Sequence, residues 1–128
     1  MSYIVNFSNL ATNNLRRKAL FIAEAGYEAL DIKRVVSGRI KLRGNTLEIQ
    51  YQHKKLRLNL GSFNRIFLIG IGKGSALASA TLAKILGQRL THGIALDIVE
   101  LKTKNLKLET LVGAHPLPLI QNIKQPER

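Results

Sequence analysis

The sequence predicts an α/β domain, a Rossmann-like sandwich with a mostly parallel sheet and an excursion of antiparallel strands. Three observations lead to this fold class. The near-continuous apolar run at residues 65–71 is typical of a strand buried on both faces in a parallel sheet. A glycine-rich turn and an apolar helical segment follow it directly, as in a βαβ unit. Before this run, polar and apolar residues alternate with the period of two that antiparallel strands have.

The first half of the chain predicts one helix and three strands. Apolar residues such as Leu15 and Ile22 recur at steps of three and four over residues 12–30, which predicts an amphipathic helix. Gly26 lies inside this helix, where we expect it to mark a close contact with a neighbouring element. After Asp31 the pattern becomes alternating, with basic residues on the solvent-facing side. The three predicted strands cover residues 39–43, 47–51 and 55–60.

The second half predicts the βαβ unit and one further strand. The helix after the glycine turn covers residues 76–90 and is apolar almost all round, which predicts that it is buried. Residues 119–128 are mostly polar, so we expect one domain over residues 1–118 followed by a polar tail. The predicted strands cover residues 65–71, 93–99 and 108–112.

The strong positive charge bears on the choice of partner. The 128 residues include 20 Lys and Arg against 8 Asp and Glu, a formal net charge of +12. This excess is spread evenly, since residues 1–64 hold 11 basic and 4 acidic residues and residues 65–128 hold 9 and 4. Aromatic residues make up 5%, too few for a platform that stacks bases. Nucleic acid is therefore not the expected partner, and a basic nucleic-acid-binding protein is kept as an alternative.

Several function classes are excluded by residues that the sequence lacks. Cysteine is absent and the three histidines, His53, His92 and His115, are widely spaced, so we expect no metal site. No apolar run approaches the roughly 20 residues that span a bilayer, and the amino terminus does not resemble a signal peptide. We therefore expect a cytoplasmic protein with no membrane partner.

The segment most informative about chemistry is the turn Gly70-Ile71-Gly72-Lys73-Gly74-Ser75. Glycines let the backbone turn tightly and let a ligand approach closely. The following helix directs free N–H groups and the positive end of its dipole towards this turn, and Lys73 adds a full charge. These features predict a site for a phosphate or carboxylate group.

Known glycine motifs match this turn only in part. A Walker A loop needs a hydroxyl residue directly after its lysine, whereas Gly74 follows Lys73 here. A dinucleotide-binding turn needs an acidic residue about 20 positions further on, and residues 90–96 contain none. A glycine turn required by backbone geometry alone, with Lys73 solvated, therefore stays open as an alternative.

Four segments resemble the amino-terminal domain of the glycerate 2-kinase family, which is also described as hydroxypyruvate reductase-like. The likeness extends over about residues 16–118. It implies a Rossmann-like domain of an enzyme that transfers a phosphoryl group from ATP to D-glycerate with Mg²⁺. Lys73 then corresponds to the catalytic lysine. The segments are residues 19–31, 65–76, 86–94 and 113–118. The positions implied to bind substrate or phosphate are Gly70, Gly72, Gly74, Ser75 and His115.

The sequence also departs from that family. Its members continue into a glycine- and serine-rich phosphate-binding segment and a second domain that supplies further catalytic residues, and neither is present here. Because phosphoryl transfer needs groups from several elements, the resemblance implies that this chain is inactive alone. It would then be a fragment, the product of a shortened gene, or a domain that works with a separately encoded second domain or as a homo-oligomer. A non-catalytic anion- or partner-binding domain is the alternative.

Overall fold

The structure, a computed structural model, describes residues 2–105 and 107–114. The predicted tail at residues 119–128 lies outside these ranges. The described residues form helices and two separate sheets. The helices are α1 (Phe7–Leu10), α2 (Asn14–Ala29), α3 (Ile32–Arg39) and α4 (Ser75–Leu86). The strands are β1 (Ile40–Arg43), β2 (Thr46–Tyr51), β3 (Lys54–Asn59), β4 (Phe67–Ile71), β5 (His92–Asp97) and β6 (Leu108–Val112).

Helix α2 confirms the first predicted helix. The side chain of Asn13 caps it by accepting a hydrogen bond from the Arg16 N–H at 2.9 Å. Its apolar stripe is not buried, however, and Ile22 is 75% exposed. The expected close contact at Gly26 is wrong, because no atom of the described residues comes within 4 Å of a Cβ placed there. Helix α2 packs mainly on the amino-terminal segment, where the rings of Phe7 and Phe21 lie 5.0 Å apart.

Helix α3 was not predicted, because the alternating pattern was expected to begin directly after Asp31. The Asp31 carboxylate starts this helix by accepting a hydrogen bond from the Arg34 N–H at 3.0 Å. Eight residues that include Val35, Val36 and Gly38 have weak intrinsic helix propensity. Packing against α4 and β1 supplies the stability that propensity does not.

Strands β1, β2 and β3 form an antiparallel sheet in that order, as the alternating pattern predicted. Leu47 of β2 lies opposite Leu42 of β1 and Leu58 of β3. On the wetter side, Glu48 lies 3.0 Å from Arg57 across the β2–β3 pair. Part of the basic surface therefore lies on this sheet, where cross-strand ion pairs neutralise some of its charge.

Strands β4, β5 and β6 form a parallel sheet in that order, and α4 connects β4 to β5. This confirms the predicted βαβ unit and makes the fold α/β. The core lies where α4 covers one face of this sheet, and Leu90 and Ala95 are completely buried in it. Leu42 and Leu47 of the antiparallel sheet pack against the same core.

The opposite face of the parallel sheet is open. Phe67, Ile69 and Ile71 of β4 are 59%, 71% and 77% exposed, whereas Leu68 between them faces α4 and is half-buried. The prediction that this strand is buried on both faces is therefore wrong for the described part of the chain. Its continuous apolar sequence is nonetheless typical of a strand that is covered on both faces of the sheet. In the described ranges, no helix is both long and apolar enough to cross a membrane.

Candidate functional site

The glycine turn lies between the end of β4 and the start of α4, at the carboxyl edge of the parallel sheet. Open α/β sheets commonly bind ligands at this edge. The structure brings Gly70, Gly72, Lys73, Gly74 and Ser75 together in this turn. A cavity of about 140 Å³ opens beside it. Its lining residues are Ile71, Gly72, Lys73, Leu96, Asp97, Ile98, Gly113 and Ala114.

The three glycines serve different purposes. Gly72 (φ +108°) and Gly74 (φ +79°) adopt backbone conformations that residues with a Cβ rarely reach. Gly70 has an ordinary backbone, but a Cβ there would lie 2.2 Å from the hydroxyl oxygen of Ser79. The close approach of β4 to α4 therefore explains Gly70 without a ligand.

Ser75 ties the turn to the neighbouring strand. Its hydroxyl donates a hydrogen bond to the carbonyl oxygen of Leu96 at 2.8 Å, and its N–H donates to the Gly72 carbonyl at 3.0 Å. The N–H of Gly72 donates to the same Leu96 carbonyl at 3.0 Å. These contacts hold the turn against β5. They also occupy the Ser75 hydroxyl and the N–H groups of Gly72 and Ser75, which the sequence predicted to be available to a ligand.

Asp97, the last residue of β5, completes the site. It is 5% exposed, and its carboxylate accepts hydrogen bonds from two N–H groups around the start of α4. The Gly74 nitrogen lies 3.2 Å from Oδ1 and the Ala76 nitrogen lies 2.9 Å from Oδ2. The N–H of Ile98 also donates to Oδ1 at 2.7 Å. Asp97 therefore caps α4 from a different element of the fold.

The electrostatics keep Asp97 ionised. Burial raises the pKa of its carboxyl group, but hydrogen bonds from the N–H groups of Ala76, Ile98, Gly74 and Val99 together outweigh burial and lower it below its ordinary value. The resulting negative charge lies at the positive end of the α4 dipole, where a carboxylate is stabilised. The turn thus contains its own anion at neutral pH.

Sequence reasoning missed Asp97 by one position. The dinucleotide-binding motif places an acidic residue within residues 90–96, which contain none. The topology instead places that position at the end of the second strand of the βαβ unit. Asp97 is that residue. The sequence does contain a signal for Asp97, because it is an acidic residue that directly follows the apolar residues 93–96. In the structure its carboxylate points to the α4 amides.

Lys73 is exposed beside the cavity, and none of its described neighbours forms a salt bridge with it. Its ammonium group is therefore available to an anionic ligand that enters from the solvent. The other predicted site residue, His115, lies outside the described residues. The structure thus places residues 70–75 at the carboxyl edge of the parallel sheet with Asp97 beside them, and their role as a binding site stays a prediction.

The donors of the turn can be compared with what ATP and Mg²⁺ require. Phosphate groups bind at helix amino termini through unpaired N–H groups, but those of Gly74 and Ala76 already donate to Asp97. Across residues 2–105 and 107–114, no three His, Asp or Glu side chains lie close enough to hold a metal ion. Within the described turn, the N–H groups of Gly74 and Ala76 are therefore engaged by Asp97.

The fold and the site define an α/β domain with a lysine-bearing glycine turn. By sequence, residues 18–128 match the family described as a domain of unknown function, DUF4147, and the chain belongs to that family. The comparison with curated proteins found no match.

A solved structure shares the fold. The PH0495 protein from Pyrococcus horikoshii OT3 superposes with a TM-score of 0.65 at 17% sequence identity, over 86% of this chain. At that identity the likeness concerns the fold alone. The chain spans 23% of the length of that protein.

Proposed function

We propose that this chain is the amino-terminal α/β domain of a glycerate 2-kinase-type protein and does not transfer phosphoryl groups by itself. The observation that carries the proposal is family membership over residues 18–128, since this domain occurs at the amino terminus of glycerate kinase-like proteins. The exposed Lys73 at the carboxyl edge of the sheet agrees with it, because a positioned cation stabilises charge on a transferring phosphoryl group.

In this proposal Lys73 holds the negative charge of substrate or phosphate, and His115 contacts D-glycerate. Gly70, Gly72, Gly74 and Ser75 shape the turn that presents the lysine. ATP and Mg²⁺ belong to the assembled enzyme, held mainly by groups that the described residues do not include. The inactivity of the chain alone follows, because a single lysine supplies neither the positioning nor the charge that this reaction needs.

The test is an assay of the purified chain with ATP, Mg²⁺ and D-glycerate, following phosphoglycerate formation. We expect no turnover above that of the Lys73→Ala variant. Turnover that Lys73→Ala abolishes would overturn the claim of inactivity while supporting the kinase-type site. Binding of D-glycerate and of 2-phosphoglycerate, measured by isothermal titration, then tests the role of Lys73. Equal affinities for the wild type and Lys73→Ala would contradict that role.

A second function, partner binding without catalysis, is favoured by the open face of the parallel sheet. Phe67, Ile69 and Ile71 form an exposed apolar row on β4, and β4 lies at the edge of the described sheet. Exposed apolar patches and free strand edges commonly mark interaction sites. We propose that this face binds a second domain, since the chain spans 23% of the length of the PH0495 protein that shares its fold.

Sedimentation velocity of the purified chain distinguishes a second domain from a second copy of the chain as the partner. Association of the wild type that Ile69→Lys abolishes would identify a second copy as the occupant. Ile22→Lys is the matched control, because Ile22 is also exposed (75%) but lies on α2. A monomer in which the β4 amides that do not bond to β5 exchange fast would favour the separate domain. Fast exchange at no β4 amide of the monomer would contradict a free edge.

A further inference from the structure

We infer that Asp97 is a built-in anion that keeps phosphate groups away from the amino terminus of α4. This role of Asp97 is independent of the proposed kinase function. Ile71 of β4 pairs with Leu96 of β5, so Asp97 lies at the same sheet edge as the glycine turn. Gly93, Ala95 and Asp97 alternate on the face that α4 covers, which directs the carboxylate towards the helix.

The carboxylate occupies the place that a phosphate group would need. Its oxygens lie 3.2 Å from the Gly74 nitrogen and 2.9 Å from the Ala76 nitrogen, which is the spacing at which phosphate oxygens accept from such groups. Two other N–H groups of the turn, those of Gly72 and Ser75, donate to backbone carbonyls at 3.0 Å and do not replace the donors that Asp97 occupies. A phosphate would have to displace Asp97 to bind there.

Charge opposes that displacement. A displaced Asp97 would remain within a few ångströms of the entering phosphate, and two anions at that separation repel strongly where water is largely excluded. The displaced carboxylate would also lose hydrogen bonds while it remained buried, because it is 5% exposed. Lys73, exposed beside the cavity, offers an anion a positive charge outside the place that Asp97 fills. Asp97 thus favours ligands that bind through the lysine over ligands that bind through the N–H groups of Gly74 and Ala76.

The experiment is a titration of ¹⁵N-labelled protein with inorganic phosphate, followed at the amide signals of Gly74 and Ala76. In the wild type we expect neither signal to move. In Asp97→Ala the two N–H groups are released, and we expect both signals to shift with saturation. The phosphate affinity at this position should rise by at least about tenfold.

Asp31→Ala is the matched control, because Asp31 also caps a helix but lies away from the turn. It should leave the phosphate response of Gly74 and Ala76 unchanged. Asp97→Ser, which retains a hydroxyl acceptor, serves if Asp97→Ala does not fold. Phosphate-induced shifts of both amides in the wild type would overturn the inference, as would a folded Asp97 variant without any gain.

Discussion

The ionisation of Asp97 is coupled to the stability of the fold. Its folded-state pKa is lowered, so its carboxylate stabilises the folded protein fully above the unfolded pKa and loses this effect as the pH falls through the folded pKa. The hydrogen bonds to Gly74 and Ala76 are the physical cause, since both N–H groups bind the charged form. The window in which this contribution disappears therefore lies below about pH 4.

We expect Asp97→Asn to lower the free energy of unfolding at pH 7 by about 1.5–3 kcal/mol, the usual contribution of hydrogen bonds to a charged group. An asparagine amide offers one oxygen acceptor, whereas the carboxylate offers two. The difference from the wild type should shrink as the pH falls below about 4, because the wild-type carboxyl then becomes neutral. Urea unfolding of both proteins at pH 7 and at acidic pH measures it. A difference that does not change with pH would contradict the coupling.

At the residue scale, the sequence predicted the glycine turn and Lys73 but not the contacts within the turn. Glycine spacing indicates where the backbone can bend, and it does not reveal which acceptors fill the space around it. Asp97 is 23 residues from Gly74, and only the pairing of β4 with β5 brings the two together. Such a contact depends on strand register, which a single sequence does not specify.

At the element scale, periodicity predicted most helices and strands but not their partners. The alternation of polar and apolar residues was sufficient to predict β1, β2 and β3, because each strand has one apolar side. It failed for α3, a short helix that packing stabilises against weak propensity. The apolar residues of α2 and β4 predicted burial, but apolar patterning does not specify which element covers a face. Among the described residues, α4 is the element that covers the parallel sheet.

The contact between β4 and α4 gives a prediction at this scale. In Gly70→Ala the new Cβ would clash with the hydroxyl oxygen of Ser79, so the buried Ser79 side chain must rotate or strand and helix must separate. We expect a loss of about 1–3 kcal/mol in the free energy of unfolding, as for other overpacked contacts. Chemical denaturation measures this loss.

Two further variants make that prediction specific. Gly70→Ala combined with Ser79→Ala should recover part of the stability, because the clashing oxygen is gone. Gly26→Ala is the control in α2, where the space around Gly26 is open among the described residues, and it should stabilise by about 0.5–1 kcal/mol. If Gly70→Ala did not lower the free energy of unfolding, the tight contact between β4 and α4 at this position would be contradicted.

At the scale of the whole molecule, the charge of +12 exceeds what local ion pairs neutralise. Glu48 lies 3.0 Å from Arg57 and 3.7 Å from Arg43, and the Arg57 hydrogen bond is the main cause that lowers the pKa of Glu48. With 20 basic and 8 acidic residues, most cations have no acidic residue available as a partner. Mutual repulsion between the remaining cations therefore destabilises the folded chain at low ionic strength.

Screening this repulsion should stabilise the fold. Raising NaCl from about 0.01 M to about 0.15 M shortens the Debye length from about 30 Å to about 8 Å, so repulsion between distant lysines and arginines is weakened. We expect the melting temperature, measured by circular dichroism, to rise over this range. The double variant Lys54→Glu with Lys102→Glu lowers the net charge at exposed positions and should show a smaller rise. A wild-type melting temperature that falls with salt would instead mean that the ion pairs of Glu28 and Glu48 outweigh the repulsion, because salt screens those pairs as well.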